Sequence, residues 1–230
     1  ETEITITAGG TQGILTAILS CISPGDEVII IEPAYDSYRP SIELAGGKTV
    51  AVSLTVNRDG QGSVNSYSIP WDELAKAINP KTRLIIINSP ANPTGGVVSR
   101  QEITKLAHGL AKHPNVAILS DEIYSHQVYD GVDFVSFLSF PELRDRTIIL
   151  DGWSKTFAMT GWRLGFGIWP RHLIDYVKKL ITVDHSCTSV ATQMGGLAAI
   201  TGPMDEIERF RQSFQKRRDM VVKGLNDIRG

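Results

Sequence analysis

The chain has 230 residues, enough for one large domain with a substantial core. Its hydrophobic fraction of 42% and charged fraction of 21% are ordinary for a soluble globular protein, and a formal net charge of −2 gives no electrostatic reason to expect binding to nucleic acid or to an anionic membrane. The longest apolar runs, such as 28–31 and 84–87, are strand-length and far short of the roughly 20 residues of a membrane span, while two cysteines, Cys21 and Cys187, are too few for a disulfide framework and read as buried thiols in a reducing, cytoplasmic compartment.

Glu1 to Thr7 alternates, unlike a secretory signal, and Ile4, Ile6 and Ala8 mark a strand that Gly9-Gly10 breaks. A helix is expected over Gln12 to Ile22, ended by the turn residues Ser23-Pro24-Gly25-Asp26. Glu27 to Ile31 is an apolar strand closed by Pro33, Tyr38 to Ala45 a helix, and Lys48 to Leu54 a strand. Asn57 to Ser68, rich in Gly, Asn and Ser, reads as a surface loop. A short helix over Trp71 to Ile78 precedes the strand Arg83 to Asn88. Ser99 with Glu102 three residues on forms a capping box that starts a helix to about Lys112. Val116 to Ser120, Thr147 to Leu150 and Arg163 to Trp169 carry strand patterns, and the chain is mostly helical from Pro170 onward.

This strand–helix alternation, with no internal repeat, predicts a single α/β domain. Its sheet should be mostly parallel (mixed), with helices on both faces. The chain lacks an initiator Met, opens inside a strand and stops at Arg229-Gly230 after a long helix, so it is read as part of a longer polypeptide.

Four segments fall where strands should end, the place where ligands bind in such sheets. Ala8-Gly9-Gly10-Thr11-Gln12-Gly13 is a strand-to-helix turn whose small residues and helix N-terminus suit an anion, although Gly-Gly turns are often only structural. Asn88-Ser89-Pro90-Ala91-Asn92-Pro93-Thr94-Gly95 holds an Asn92 amide between two prolines, although Asn-Pro turns are common. Asp121-Glu122-Ile123-Tyr124 can set a carboxylate and a phenol over one ligand, or Asp121 can cap a helix. In 151–165, Lys155 lies among Trp153, Phe157 and Met159, where desolvation would favour a neutral, nucleophilic amine.

Taken in order, these motifs resemble the large domain of the class I/II aminotransferases, pyridoxal-5′-phosphate (PLP) enzymes of fold type I, over essentially the whole chain. The stretch Ser154-Lys155-Thr156-Phe157-Ala158-Met159-Thr160-Gly161-Trp162-Arg163-Leu164-Gly165 is particularly similar to the subgroup that includes bacterial aspartate aminotransferases. The resemblance implies that Lys155 is the Schiff-base lysine and proton shuttle, that Asp121 pairs with the pyridine nitrogen, and that Asn92 and Tyr124 donate to the 3′-oxygen. It implies that Tyr35 stacks on the ring and that Gly10, Thr11, Ser154 and Arg163 hold the phosphate, with Gln12 contributing a backbone N–H. Gly152 and Trp153 depart from the pattern: many relatives carry a phosphate-binding serine at 152 and a smaller residue at 153.

The family's substrate-carboxylate arginine lies in a C-terminal small domain, and an N-terminal segment adds substrate contacts; neither region is in these residues. The implied reaction moves an amino group from an L-amino acid to a 2-oxo acid, in a homodimer. A PLP-dependent lyase, either a carbon–sulfur lyase or aminocyclopropane-carboxylate-synthase-like, would share the same lysine and aspartate. A non-catalytic relative would have no use for Lys155, Asp121 and Arg163 together. The histidines 108, 113, 126, 172 and 185 lack metal-ligand spacing, and the basic residues of 209–219 are interleaved with acids as on a solvated helix face.

Overall fold

In the computed structural model, residues 3–60, 62 and 64–228 are described; Glu1 and the terminal Arg229-Gly230 lie outside them. Among the described residues nine strands are defined: β1 (Ile4–Thr7), β2 (Glu27–Glu32), β3 (Lys48–Ser53), β4 (Thr55–Arg58), β5 (Val64–Ser68), β6 (Thr82–Asn88), β7 (Ala117–Asp121), β8 (Thr147–Gly152) and β9 (Gly165–Ile168). The helices are α1 (Gly10–Cys21), α2 (Tyr38–Leu44), α3 (Trp71–Ala77), α4 (Arg100–Leu110), α5 (Trp153–Thr156), α6 (Ile174–Asp184), α7 (Val190–Thr201) and α8 (Asp205–Asn226). Among the described residues, no helix is long and apolar enough to cross a membrane.

Seven strands form one sheet in the order β1-β9-β8-β7-β6-β2-β3, in which β9 alone runs against the others. The buried β-branched runs explain the architecture, because successive side chains of a strand point to opposite faces. Val28, Ile30, Leu84, Ile86 and Leu119 pack on one face with Ile14 and Ile18 of α1, Ile42 of α2 and Val177 of α6. Ile29, Ile85, Ile87, Ile118 and Ile149 face the other way, onto Leu74 of α3 and onto Ile103, Leu106 and Leu110 of α4. The expected mixed, mostly parallel sheet covered on both faces is therefore present, and the Ser99–Glu102 capping box starts α4.

Two expectations are corrected. Residues 57–68 are not simply a loop: β4 and β5 pair as an antiparallel hairpin, held by its ladder and by Asn57 Nδ2 donating to Ser66 and Ser68 hydroxyls at 3.1 and 3.2 Å. Its side chains are mostly exposed, so no apolar alternation announces it. Both cysteines are free, but Cys187 is exposed, in the turn between α6 and α7, rather than buried.

The topology places the site. From β2 the chain moves outward to β3, whereas from β6 it proceeds the other way through β7 to β8, so the order reverses between β2 and β6. Ligands of open α/β sheets bind outside the carboxyl ends of strands at such a reversal. Because β9 is antiparallel, its first residue, Gly165, pairs with Thr7 and with Gly152, the last residues of β1 and β8. The start of β9 therefore joins the carboxyl ends of its neighbours at one edge.

Candidate active site

A cleft with about 690 Å³ of empty space opens at that edge. It brings together Gly10 and Thr11 after β1, Tyr35 after β2, Asn92 after β6, Asp121 and Tyr124 at the end of β7, Ser154 and Lys155 in α5, and Arg163 before β9. Of the residues expected to hold the cofactor, Gln12 is the one whose side chain is turned away: its Nε2 donates to Thr16 Oγ1 at 2.6 Å and to Asp184 Oδ2 at 3.1 Å.

At one end of the cleft, α1 begins without a side-chain cap, which leaves first-turn N–H groups for a ligand. Gly9, at φ 83°, makes the turn, and a Cβ there would stand 2.6 Å from Arg163 Nη2. The guanidinium thus lies against the bare backbone that precedes α1. Arg163 itself is left-handed, at φ 50° and ψ 56°, and Nη1 donates to the Thr160 carbonyl at 3.0 Å. Gly152 also has a steric reason: a Cβ there would meet the Leu164 carbonyl oxygen at 2.8 Å and Gly165 Cα at 2.9 Å, so a serine does not fit between β8 and β9 as they pack here.

Asp121 lies at the other end. It is 6% exposed, and no helix follows it, so it is not a helix cap. Tyr38 donates to its Oδ2 at 2.7 Å, and the Ile123 N–H reaches Oδ1 at 3.4 Å. Burial raises its pKa, opposed by the Tyr38 and Ile123 hydrogen bonds and by the charge of Lys155. Asn88 ties the neighbouring loop in place: its amide donates to the Asp121 carbonyl at 2.9 Å and its Oδ1 accepts from the Asn92 N–H at 2.7 Å. Lys155 Nζ stands 5.5 Å from the centroid of the Tyr124 ring.

The expected apolar enclosure of Lys155 is different in detail. Trp153, Phe157 and Met159 do not line the cleft. Trp153 is buried away from it, donating to the Gly196 carbonyl at 3.0 Å and packing edge-on against Phe166. It anchors α5 to α7, which accounts for its bulk.

Sequence reasoning missed Tyr38, Asn88 and Asp151. Tyr38 was read only as the start of a helix, and its partner is 83 residues away. Asp151, in β8 four residues before Lys155, accepts from the Gly152 N–H at 2.6 Å and from Ser125 Oγ at 3.1 Å. Burial pushes its carboxyl up to about 7, helped by the nearby Glu122 and Asp121 and opposed by those two hydrogen bonds. Its signal was visible only as one more acid at a strand end.

The donors present suit an anionic, aromatic aldehyde. A guanidinium and free N–H groups are matched to a phosphate, a buried carboxylate to a ring nitrogen, and a primary amine to an aldehyde. Residues 1–230 match the family described as aminotransferase class I and II. The chain is 38% identical over 229 residues to an aspartate aminotransferase of Rhizobium meliloti, covering 99% of this chain and 54% of the relative. It is 36% identical over 230 residues to aromatic-amino-acid aminotransferase 2 of Thermococcus litoralis, covering 99% and 57%. The crystal structure of the Rhizobium meliloti aspartate aminotransferase is matched with a TM-score of 0.90 at 38% identity, over 100% of this chain and 56% of that one. The N-succinyldiaminopimelate aminotransferase of Mycobacterium tuberculosis gives a TM-score of 0.91 at 34% identity, over 98% and 57%. The chain thus spans about half the length of the curated relatives it matches. A family match along its whole length, joined to this sheet and this cleft, makes the chain a member of the class I and II aminotransferases.

Proposed function

We propose that the chain is the cofactor-binding large domain of a PLP-dependent aminotransferase, which moves an amino group from an L-amino acid to a 2-oxo acid. The carrying observation is that one cleft gathers the amine of Lys155, the buried carboxylate of Asp121 and the guanidinium of Arg163 from three different strand ends. When bound, PLP supplies an aldehyde that condenses with amines and a pyridine ring that accepts the electron pair left when Cα loses its proton.

The protein's own groups supply the rest. Lys155 would be the amine that receives the cofactor, and with its amine free its Nζ would carry a proton between the substrate Cα and the cofactor C4′. Asp121 holds a proton on the ring nitrogen. Asn92 and Tyr124 donate hydrogen bonds to the ring's 3′-oxygen, and Tyr35 offers its ring face. Gly10, Thr11, Ser154 and Arg163 hold the phosphate, with Gln12 contributing its backbone N–H while its side chain is engaged with Asp184.

The partners are the two small-molecule substrates and a second copy of the chain, in the cytoplasm. Support for further covering surface comes from Val190, Met194 and Leu197 of α7 and Phe210, Phe214 and Leu225 of α8, all at least 40% exposed.

Mixing the intact, PLP-loaded protein with an amino acid alone tests the reaction. An aminotransferase releases one equivalent of oxo acid per site and stops until a 2-oxo acid is added. Continuous product release without an acceptor would make it a lyase, and no release with any amino acid of a broad panel would make it a non-catalytic relative.

A further inference from the structure

Tyr38 opens α2 but faces inward, and at 2% exposed it is buried more completely than Asp121, to which it donates. Its ring also packs edge-on against Tyr35, with centroids 5.6 Å apart and planes at 82°. The core needs only the ring at this position; a phenylalanine would fill the same space. The hydroxyl therefore calls for a reason of its own, because a buried donor is costly unless it is used.

Its use is visible at Asp121. Oδ2 is taken by Tyr38 at 2.7 Å, whereas among the described residues Oδ1 has the Ile123 N–H at 3.4 Å, and so keeps acceptor capacity on a residue that lines the cleft. We propose that Tyr38 is a positioning residue for the reaction: by holding Oδ2 it orients the Asp121 carboxylate and keeps it ionised, so that the shared proton rests on the cofactor's ring nitrogen and not on Asp121. This inference rests on the reading of the cleft as a PLP site.

The electrostatic logic is a competition for one proton. Burial favours neutral Asp121, and a neutral acid beside a neutral pyridine would be a poor electron sink. The Tyr38 hydrogen bond and the charge of Lys155 act the other way, and Tyr38 supplies its share without adding charge. Tyr38 itself stays a neutral donor, since burial and the Asp121 charge hold its own ionisation far above the ordinary tyrosine range.

The test uses the intact holoenzyme loaded with PLP carrying ¹⁵N in the ring. In Tyr38→Phe the ring-nitrogen resonance should move from the protonated towards the unprotonated position. kcat should fall by roughly 10- to 100-fold, the loss expected for one hydrogen bond to a charged group, with KM little changed. An unchanged resonance in the folded, loaded variant overturns the inference and leaves the PLP reading standing. Wild-type protein that takes up no PLP overturns both. A second arm preserves packing: Tyr38→3-fluorotyrosine strengthens the donor, so at a fixed neutral pH the ring-nitrogen resonance should lie at or beyond the wild-type protonated position, and a shift towards the unprotonated position overturns the inference.

Discussion

Replacing Gly9 with alanine probes the guanidinium end of the cleft without replacing a charged residue. The backbone at Gly9 has φ 83° and ψ 167°, a region essentially reserved for glycine, where an L side chain costs about 1–3 kcal/mol. The new Cβ would also stand 2.6 Å from Arg163 Nη2 and 2.9 Å from Cζ. These atoms are the far end of a flexible side chain, held by one hydrogen bond to the Thr160 carbonyl, so the guanidinium should give way before the backbone does. Gly9→Ala is therefore expected to lower Tm by about 2–12 °C, at roughly 2–4 °C per kcal/mol for a domain of this size. Displacing Arg163 also removes a charge-assisted contact to a phosphate, about 1.5–3 kcal/mol, or roughly 10- to 150-fold in affinity. Spectroscopic titration of the intact apoprotein with PLP, and in parallel with pyridoxal, separates the two effects. PLP affinity should fall by that factor while pyridoxal, which lacks the phosphate, binds as before. Equal losses for both ligands, or no loss for either, would refute the assignment of Arg163 to the phosphate.

Two other substitutions address the carboxylates. Asp121→Asn should leave PLP bound but slow Cα proton abstraction by roughly 100-fold or more, read in single-turnover experiments, because the ring nitrogen loses the anion that holds its proton. Asp151→Asn should alter the pH dependence of stability. The Asp151 carboxyl titrates near 7 in the folded protein against an ordinary value of 3.8, so the folded state binds the extra proton between those values. Stability should consequently fall as pH rises from about 4 through 7, by up to ~1.4 kcal/mol per pH unit from this group. The asparagine can accept from the Gly152 N–H through its Oδ1 and donate from its Nδ2 to the Ser125 hydroxyl, which donates to Asp151 in the wild type. The variant should thus gain Tm relative to the wild type at pH 8 and little at pH 5, as measured by thermal melts; parallel curves for the two proteins would remove Asp151 as the cause.

The parts of the fold that were legible in the sequence are those driven by burial. Runs such as 28–31 and 84–87 can satisfy both faces of a strand only inside a covered sheet, and the Ser99–Glu102 pair marks a helix start by local hydrogen bonding. The hairpin at 55–68 escaped because its stability comes from backbone pairing and an Asn57–Ser66–Ser68 contact, which leave no hydrophobic period. In the cleft, Lys155, Asp121, Asn92, Tyr124 and Arg163 were readable because each sits in a short motif at a strand end. The residues that position them were not. Tyr38 reaches Asp121 and Trp153 reaches Gly196 across the fold, and no local pattern encodes a contact of that kind. Trp153 shows the cost of reasoning by neighbourhood: adjacent to Lys155 but one in sequence, it points into the core instead of the cleft.

The central claim is that Lys155 is the amine that carries the cofactor. Borohydride reduction of the PLP-loaded intact protein, followed by proteolysis and mass spectrometry, addresses it directly. The reduced pyridoxyl group should appear on the peptide containing Lys155, and Lys155→Ala should show no fixed cofactor. A pyridoxyl group on another lysine, or one that persists undiminished in Lys155→Ala, would contradict the account.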